Sequence, residues 1–280
     1  MKNTEFYFPF VYTYTTRLRT PLKAISLVFI YLIPVLYLSH MAVGDVLPIP
    51  HFLLTCLLAI FSYYNIYELG YIQNDTEAIK HQKDPALRLS KEKIKYYDKN
   101  KLRIYIVRII IWIFASILLF LSSPIISWLT YQAALILTLL LYQIYNRINN
   151  CSIMLIYFLL VTIRYIAPVL IFLPALNMQI FILAILIFPL NKTLEFRSEK
   201  SPDEKTNLFF RKYIIKFNPN NLSGYRVLAY GVLFTLSLMF FLLNIFSIHS
   251  VILIGYMLTY RTLIWLSIKL GVTYREYLKS

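Results

Sequence analysis

The run Ile104-Tyr-Ile-Val-Arg-Ile-Ile-Ile-Trp-Ile-Phe-Ala-Ser-Ile-Leu-Leu-Phe-Leu121 decides the fold class. A helix needs about 20 mostly apolar residues to cross the hydrocarbon core of a bilayer, and this stretch comes close to that length. Working outward, similar stretches lie near 24–40, 51–72, 125–145, 153–173, 177–194, 225–247 and 250–270. The first is short, and its Pro34 predicts a kink. Composition agrees: 59% of the 280 residues are hydrophobic and 15% are charged, with a mean hydropathy of +0.63. Soluble domains run near 45–50% apolar and about 25% charged. Six glycines and two cysteines exclude collagen and disulfide scaffolds, and the apolar content excludes disorder. The expectation is an all-α, polytopic membrane bundle of about eight transmembrane helices, forming a single membrane domain over 1–280. Cys56 and Cys151 sit at or near apolar segments and read as reduced thiols without a metal or a bridge. No cleavable signal peptide is read ahead of the first apolar run.

The net charge is +15, from 28 basic and 13 acidic residues. In a chain this apolar, the excess reads as a topology signal and a grip on anionic lipid or phosphate, not as a nucleic-acid surface. With the N-terminus cytoplasmic, the segment 1–23 holds Lys2, Arg17, Arg19 and Lys23. The next inside segments hold the run from Lys80 to Arg103, then Arg147, then Lys192 through Arg226, then Arg275 and Lys279. The outside segments 41–50, 122–124, 174–176 and 247–249 contain no Lys or Arg. Both termini are therefore expected inside, in the cell (inner) membrane. Two inside loops are long, 73–103 and 192–224, and long loops on one face of a compact helical protein are usually functional or flexible.

Polar residues inside apolar stretches mark candidate sites. Asn65, Glu68 and Asp75 share one helix face. Glu68 lies two turns deeper than Asp75, roughly 10 Å along the axis, where an ionisable group faces a cavity or a partner; the plainer reading is an acid wetted near the headgroups. Glu195 and Glu199 follow the sixth span and are about 6 Å apart if the helix continues. By topology they face the same compartment as Asn74, Asp75 and Glu77. Carboxylate clusters on one face can hold hard cations, and Mg²⁺ takes one or two carboxylates per ion together with water and phosphate. Lys80, Lys83 and Arg88 follow the first cluster; Arg197, Lys200 and Lys205 surround the second. Such bases suit a metal–diphosphate site. A solvated mixed-charge loop is the bland alternative.

Arg164, deep in the fifth span, requires an acid partner or a phosphate, with Glu68 as a candidate partner. Arg147 sits at the inner face, either as an anchor or within reach of diphosphate. Arg261 is unassigned. The four histidines do not cluster at ligand spacing.

The stretch Tyr67-Glu-Leu-Gly-Tyr-Ile-Gln-Asn74-Asp75, followed by Asp84-Pro85 and Arg88, resembles the first aspartate-rich motif of the UbiA superfamily of intramembrane prenyltransferases. That motif ends the second helix with Asn-Asp-x-x-Asp. Glu195 and Glu199 match the spacing of the second motif, with Glu for Asp. The order of helices and motifs is similar over about residues 15 to 270, and Arg17 and Arg19 ahead of the first helix fit. The chain departs in carrying Ala78 at the second Asp of the first motif, with Glu77 one place early and Asp84 as another replacement. It has eight helices where the family usually has nine.

The resemblance implies Mg²⁺-dependent transfer of a prenyl group from a polyprenyl diphosphate to a hydrophobic acceptor, aromatic or lipidic, within the membrane. It implies metal ligation by Asn74, Asp75, Glu77, Glu195 and Glu199, with Asp75, Asn74 and Glu68 in the catalytic centre. Lys80, Arg88, Arg147, Arg164 and Lys200 would contact the substrate, and Tyr67 and Tyr71 would line the pocket, sheltering the allylic cation through their π faces. Membrane lipids are the other expected partners. The alternatives are a relative that transfers a sugar phosphate to polyprenyl phosphate, a non-catalytic isoprenoid- or lipid-binding member, and a transporter. No clear inverted repeat supports the last.

Overall fold

A computed structural model describes residues 3–81, 87–148, 153–172, 177–200 and 219–271. Among them the chain forms helices and turns without a strand. A short α1 (Val11–Thr16) precedes the first span, which is built from α2 (Pro21–Leu27), a π-helical turn over Val28–Leu32 and α3 (Ile33–Val43). The following helices are α4 (Ile49–Thr76), α5 (Lys91–Ser122), α6 (Ile125–Tyr145) and α7 (Ile153–Leu170). Then come α8 (Met178–Ile187), α9 (Pro189–Lys200), α10 (Pro219–Leu242) and α11 (Ile248–Lys269). Among the described residues eight segments are long and apolar enough to cross a membrane, and each expected span overlaps one of them. The protein is a multi-pass membrane bundle.

Local chemistry sets the helix ends. Pro21 opens α2 behind Thr20, whose hydroxyl accepts from the Lys23 amide at 3.4 Å. Ser90 caps α5 in the same way, and Asn177 caps α8 by accepting from the amides of Gln179 and Ile180. Pro34 has no N–H to give the Ile30 carbonyl. The helix widens to a π turn just before it, and Tyr165 of α7 donates its hydroxyl to Ile30 at 2.8 Å. The expected kink is thus a π turn pinned by a tyrosine. Pro189 interrupts the sixth span between α8 and α9, where the Tyr230 hydroxyl donates to the Ile187 carbonyl.

The central helix is α4. Half of its apolar window is buried inside the bundle, against 11% for Leu222–Leu242 of α10. Gly70 lets α6 come close: a Cβ there would lie 2.2 Å from the Tyr142 ring. Tyr131 of α6 donates to the Ala59 carbonyl at 2.8 Å. Leu121, Leu102 and Leu242 remain exposed, along with many other large apolar side chains, as a lipid-facing surface requires.

The long loops are shorter than their sequence outlines. Most of 73–103 is helix, because α4 runs to Thr76, a 3₁₀ turn covers Ala78–His81, and α5 begins at Lys91. In 192–224, α9 continues to Lys200 and α10 begins at Pro219. The N-terminal segment 1–23 was expected to be cytoplasmic. From Asn3 onward it is folded against the bundle, with Phe6 and Tyr12 fully buried beside Ile72, Tyr97 and Ile104.

Candidate arginine–tyrosine site

Asn65, Glu68 and Asp75 do share one face of α4, and the N-terminal segment covers it. Glu68 accepts from the Thr13 amide at 2.7 Å and from Arg108 Nη1 at 3.0 Å. Both side chains of the Glu68–Arg108 pair are fully buried. The expected partner Arg164 is not used. Arg108 spends all five of its N–H donors: Nε on the Phe6 carbonyl, Nη1 on Asn65 and Glu68, and Nη2 on the carbonyls of Glu5 and Phe8. Irregular backbone at membrane depth is tolerated where protein satisfies its polar groups, and Arg108 does this for the N-terminal turn. The sequence reading passed over Arg108. A lone Arg four residues inside the apolar run at Ile104 was the signal that pointed to it.

Asp75 is equally occupied. Arg17 reaches its two oxygens at 2.8 and 3.0 Å, and Arg88 lies 3.2 Å away. Tyr12 donates to it at 3.0 Å and the Asn74 amide nitrogen at 3.2 Å. Burial, the largest single cause, pulls the Arg17 guanidinium down, but the hydrogen bond and charge of Asp75 together with Tyr71 and Tyr12 outweigh it and hold Arg17 above the ordinary arginine value. Burial, then the charge of Asp75, pushes the Tyr12 phenol far up, so it stays a donor.

The other acids turn elsewhere. Glu77 faces Lys101 at 2.7 Å and also accepts from the Tyr97 hydroxyl. Glu195 is held by Arg226 through two bonds of 2.6 and 2.7 Å, and by Lys192 at 3.3 Å. Lys80 pairs with Asp98 at 2.8 Å. Arg147 is exposed. The side chains of Glu199, Lys200 and Arg197 lie outside the described residues, as do Lys83, Asp84, Cys151 and Lys205.

The expected convergence of Asp75, Glu77 and Glu195 on one metal is therefore not what the described residues show. The acids share no partner, and among the described residues no three His, Cys, Asp or Glu side chains group to hold a metal. Each carboxylate is neutralised by its own cation, and Asn74 turns a donor rather than its oxygen toward Asp75. Among the described residues these carboxylates are occupied by cations rather than grouped as Mg²⁺ ligands.

A different constellation is assembled instead. Arg17 lies over the Tyr71 ring at 4.4 Å. Tyr71 packs edge-on against Tyr67 and Tyr142. Arg164 of α7 lies over Tyr31, Tyr64 and Tyr67 at 4.6, 5.2 and 5.3 Å and donates to the Tyr64 hydroxyl. Its Nε has no hydrogen-bond partner among the described residues, and no carboxylate pairs with it there. Tyr67 and Tyr71 pack against each other, and guanidiniums of Arg164 and Arg17 occupy the ring faces that the resemblance assigned to a carbocation. No protein-family model matches the chain, and neither a curated protein nor a solved structure is similar to it.

Proposed function

We propose that the protein binds a phosphate-headed polyprenyl lipid, with the headgroup drawn to Arg17, Arg88 and Arg164 and the chain lying among the α4 and α7 tyrosines. One observation carries this: among the described residues Arg17 and Arg88 share one carboxylate, Asp75, while Arg164 lies over tyrosine rings and pairs with no carboxylate. A buried cation without a counter-ion is costly, and an anion relieves that cost. Phosphate suits arginine, whose planar fork donates paired hydrogen bonds. The resemblance to the UbiA superfamily supplies the isoprenoid part of the reading.

The test is equilibrium binding of polyprenyl phosphate and polyprenyl diphosphate to the full-length protein in nanodiscs, with EDTA present. Binding is expected to survive EDTA and to weaken about tenfold, or 1.4 kcal/mol, in Arg164→Gln. Loss of all binding with EDTA, or an unchanged affinity in that variant, overturns the reading.

A second reading is prenyl transfer from this lipid to an aromatic or lipidic acceptor. It is favoured by the position of Asn74 and Asp75 on the last turn of α4 beside two arginines. Its mark is diphosphate release that requires Mg²⁺, an acceptor and Asp75. A sugar-phosphate donor in place of the acceptor tests the related transferase chemistry in the same assay.

A further inference from the structure

A second cationic site lies apart from the Asp75 cluster, where α2, α9, α10 and α11 meet at the basic end of the bundle. A cavity of about 290 Å³ there is lined by Lys23, Lys192, Arg226 and Arg261 among others. That volume lies at the lower edge of ligand pockets, room for a headgroup and not for a whole lipid.

The charges do not balance. Glu195 bonds Arg226 and Lys192 and its charge also acts on Arg261, so among the described residues of this wall one carboxylate faces four cations. Arg261 is the sharpest case. It is 6% exposed, its Nε meets no hydrogen-bond partner among the described residues, and its guanidinium rests over Tyr230 and Tyr260 at 5.8 and 5.5 Å. Leu22, Ile30, Phe188 and Ile264 make the rest of the wall apolar. Strong positive charge above an apolar floor is the complement of an amphiphile with an anionic head. A phosphodiester brings one negative charge; a phosphomonoester brings about two. The excess of cations favours the latter, or a diphosphate.

We infer that this cleft is a phosphate site, taking a phosphomonoester or diphosphate group in contact with Arg261, Lys23 and Lys192. Glu195, read from the sequence as a metal ligand, acts here as the positioning residue that fixes Arg226 and Lys192 in the wall.

The experiment is thermal unfolding of the full-length protein in nanodiscs of phosphatidylcholine alone, and of phosphatidylcholine doped with phosphatidic acid or with phosphatidylglycerol. Inorganic pyrophosphate is added to the first in a separate arm. Phosphatidic acid is expected to raise the unfolding temperature more than phosphatidylglycerol does. A shift from the lipid but not from pyrophosphate identifies a lipid headgroup as the source; a shift from pyrophosphate alone identifies a soluble phosphate. Arg261→Gln is expected to be at least as stable as wild type in phosphatidylcholine, since it removes one of four crowded cations, and to lose the anion-dependent shift. Lys23→Gln is expected to reduce that shift. Arg164→Gln, at the other site, keeps it, so the two readings stand or fall separately. No shift from any phosphate, or a full shift retained in Arg261→Gln, overturns the inference. An Arg261→Gln variant that is destabilised in phosphatidylcholine yet keeps its increment shows a packing role alone and also overturns it.

Discussion

Arg108 and Arg261 are both arginines buried in the bundle, at 0% and 6% exposure. Arg108 has a fully buried carboxylate opposite it and a carbonyl, amide or carboxylate oxygen for every N–H. Arg261 has tyrosine faces and an unpartnered Nε. Arg164 resembles Arg261 in this respect. A saturated guanidinium is a structural bolt, whereas an unsaturated one is open to a ligand. The acid-rich outline of the sequence becomes, in three dimensions, an interior with cations to spare.

The largest test breaks the saturated case. Arg108→Ala leaves Glu68 buried and unpaired and is expected to cost about 3–5 kcal/mol of stability, measured by unfolding in detergent. Arg108→Met combined with Glu68→Leu is expected to recover part of that loss. The remainder reflects the abandoned carbonyls of Glu5, Phe6 and Phe8. A double variant no better than Arg108→Ala would refute the pairing argument. Next in size is Asp75→Asn, which takes charge-assisted bonds from Arg17 and Arg88. It should lose about 1.5–3 kcal/mol while binding polyprenyl phosphate more tightly, because the competing carboxylate is gone. Weaker binding in this variant would favour the transferase reading, in which Asp75 serves the substrate. On the unsaturated side, Arg164→Gln should not lower the unfolding temperature of the ligand-free protein; a clear drop would place Arg164 with Arg108. The smallest effect is Lys80→Ala, which removes a half-exposed pair with Asp98 and should change stability by under about 1 kcal/mol.

The spans were legible because apolar run length is a property of the chain that the bilayer reads directly. Pro34 likewise announced its distortion. Side-chain partnerships were not legible, since they depend on how each helix is rotated about its axis. Glu195 looked like a ligand because Glu199 stands four residues away, yet Arg226, 31 residues further on, holds it. Glu68 was drawn to the wrong arginine for the same reason: Arg164 and Arg108 both lie within apolar runs, and only the packing of α5 on α4 selects between them. The N-terminal segment 1–23 reads from the sequence only as a basic cytoplasmic segment. Its order comes from contacts with Arg108, Lys93 and Asp75, all remote in sequence.

The distance along the chain between the N-terminal turn and its clamp has a bearing on biogenesis. The Phe6 carbonyl and Arg108 are 102 residues apart, so the head of the protein is made well before the guanidinium that secures it. Until α5 has entered the bilayer, those carbonyls have no donor from it and the lone charge of its apolar run, Arg108, has no shield. Insertion of the third span and docking of the N-terminal head are expected to be coupled, and a bulky fusion at residue 1 that slows both would show it.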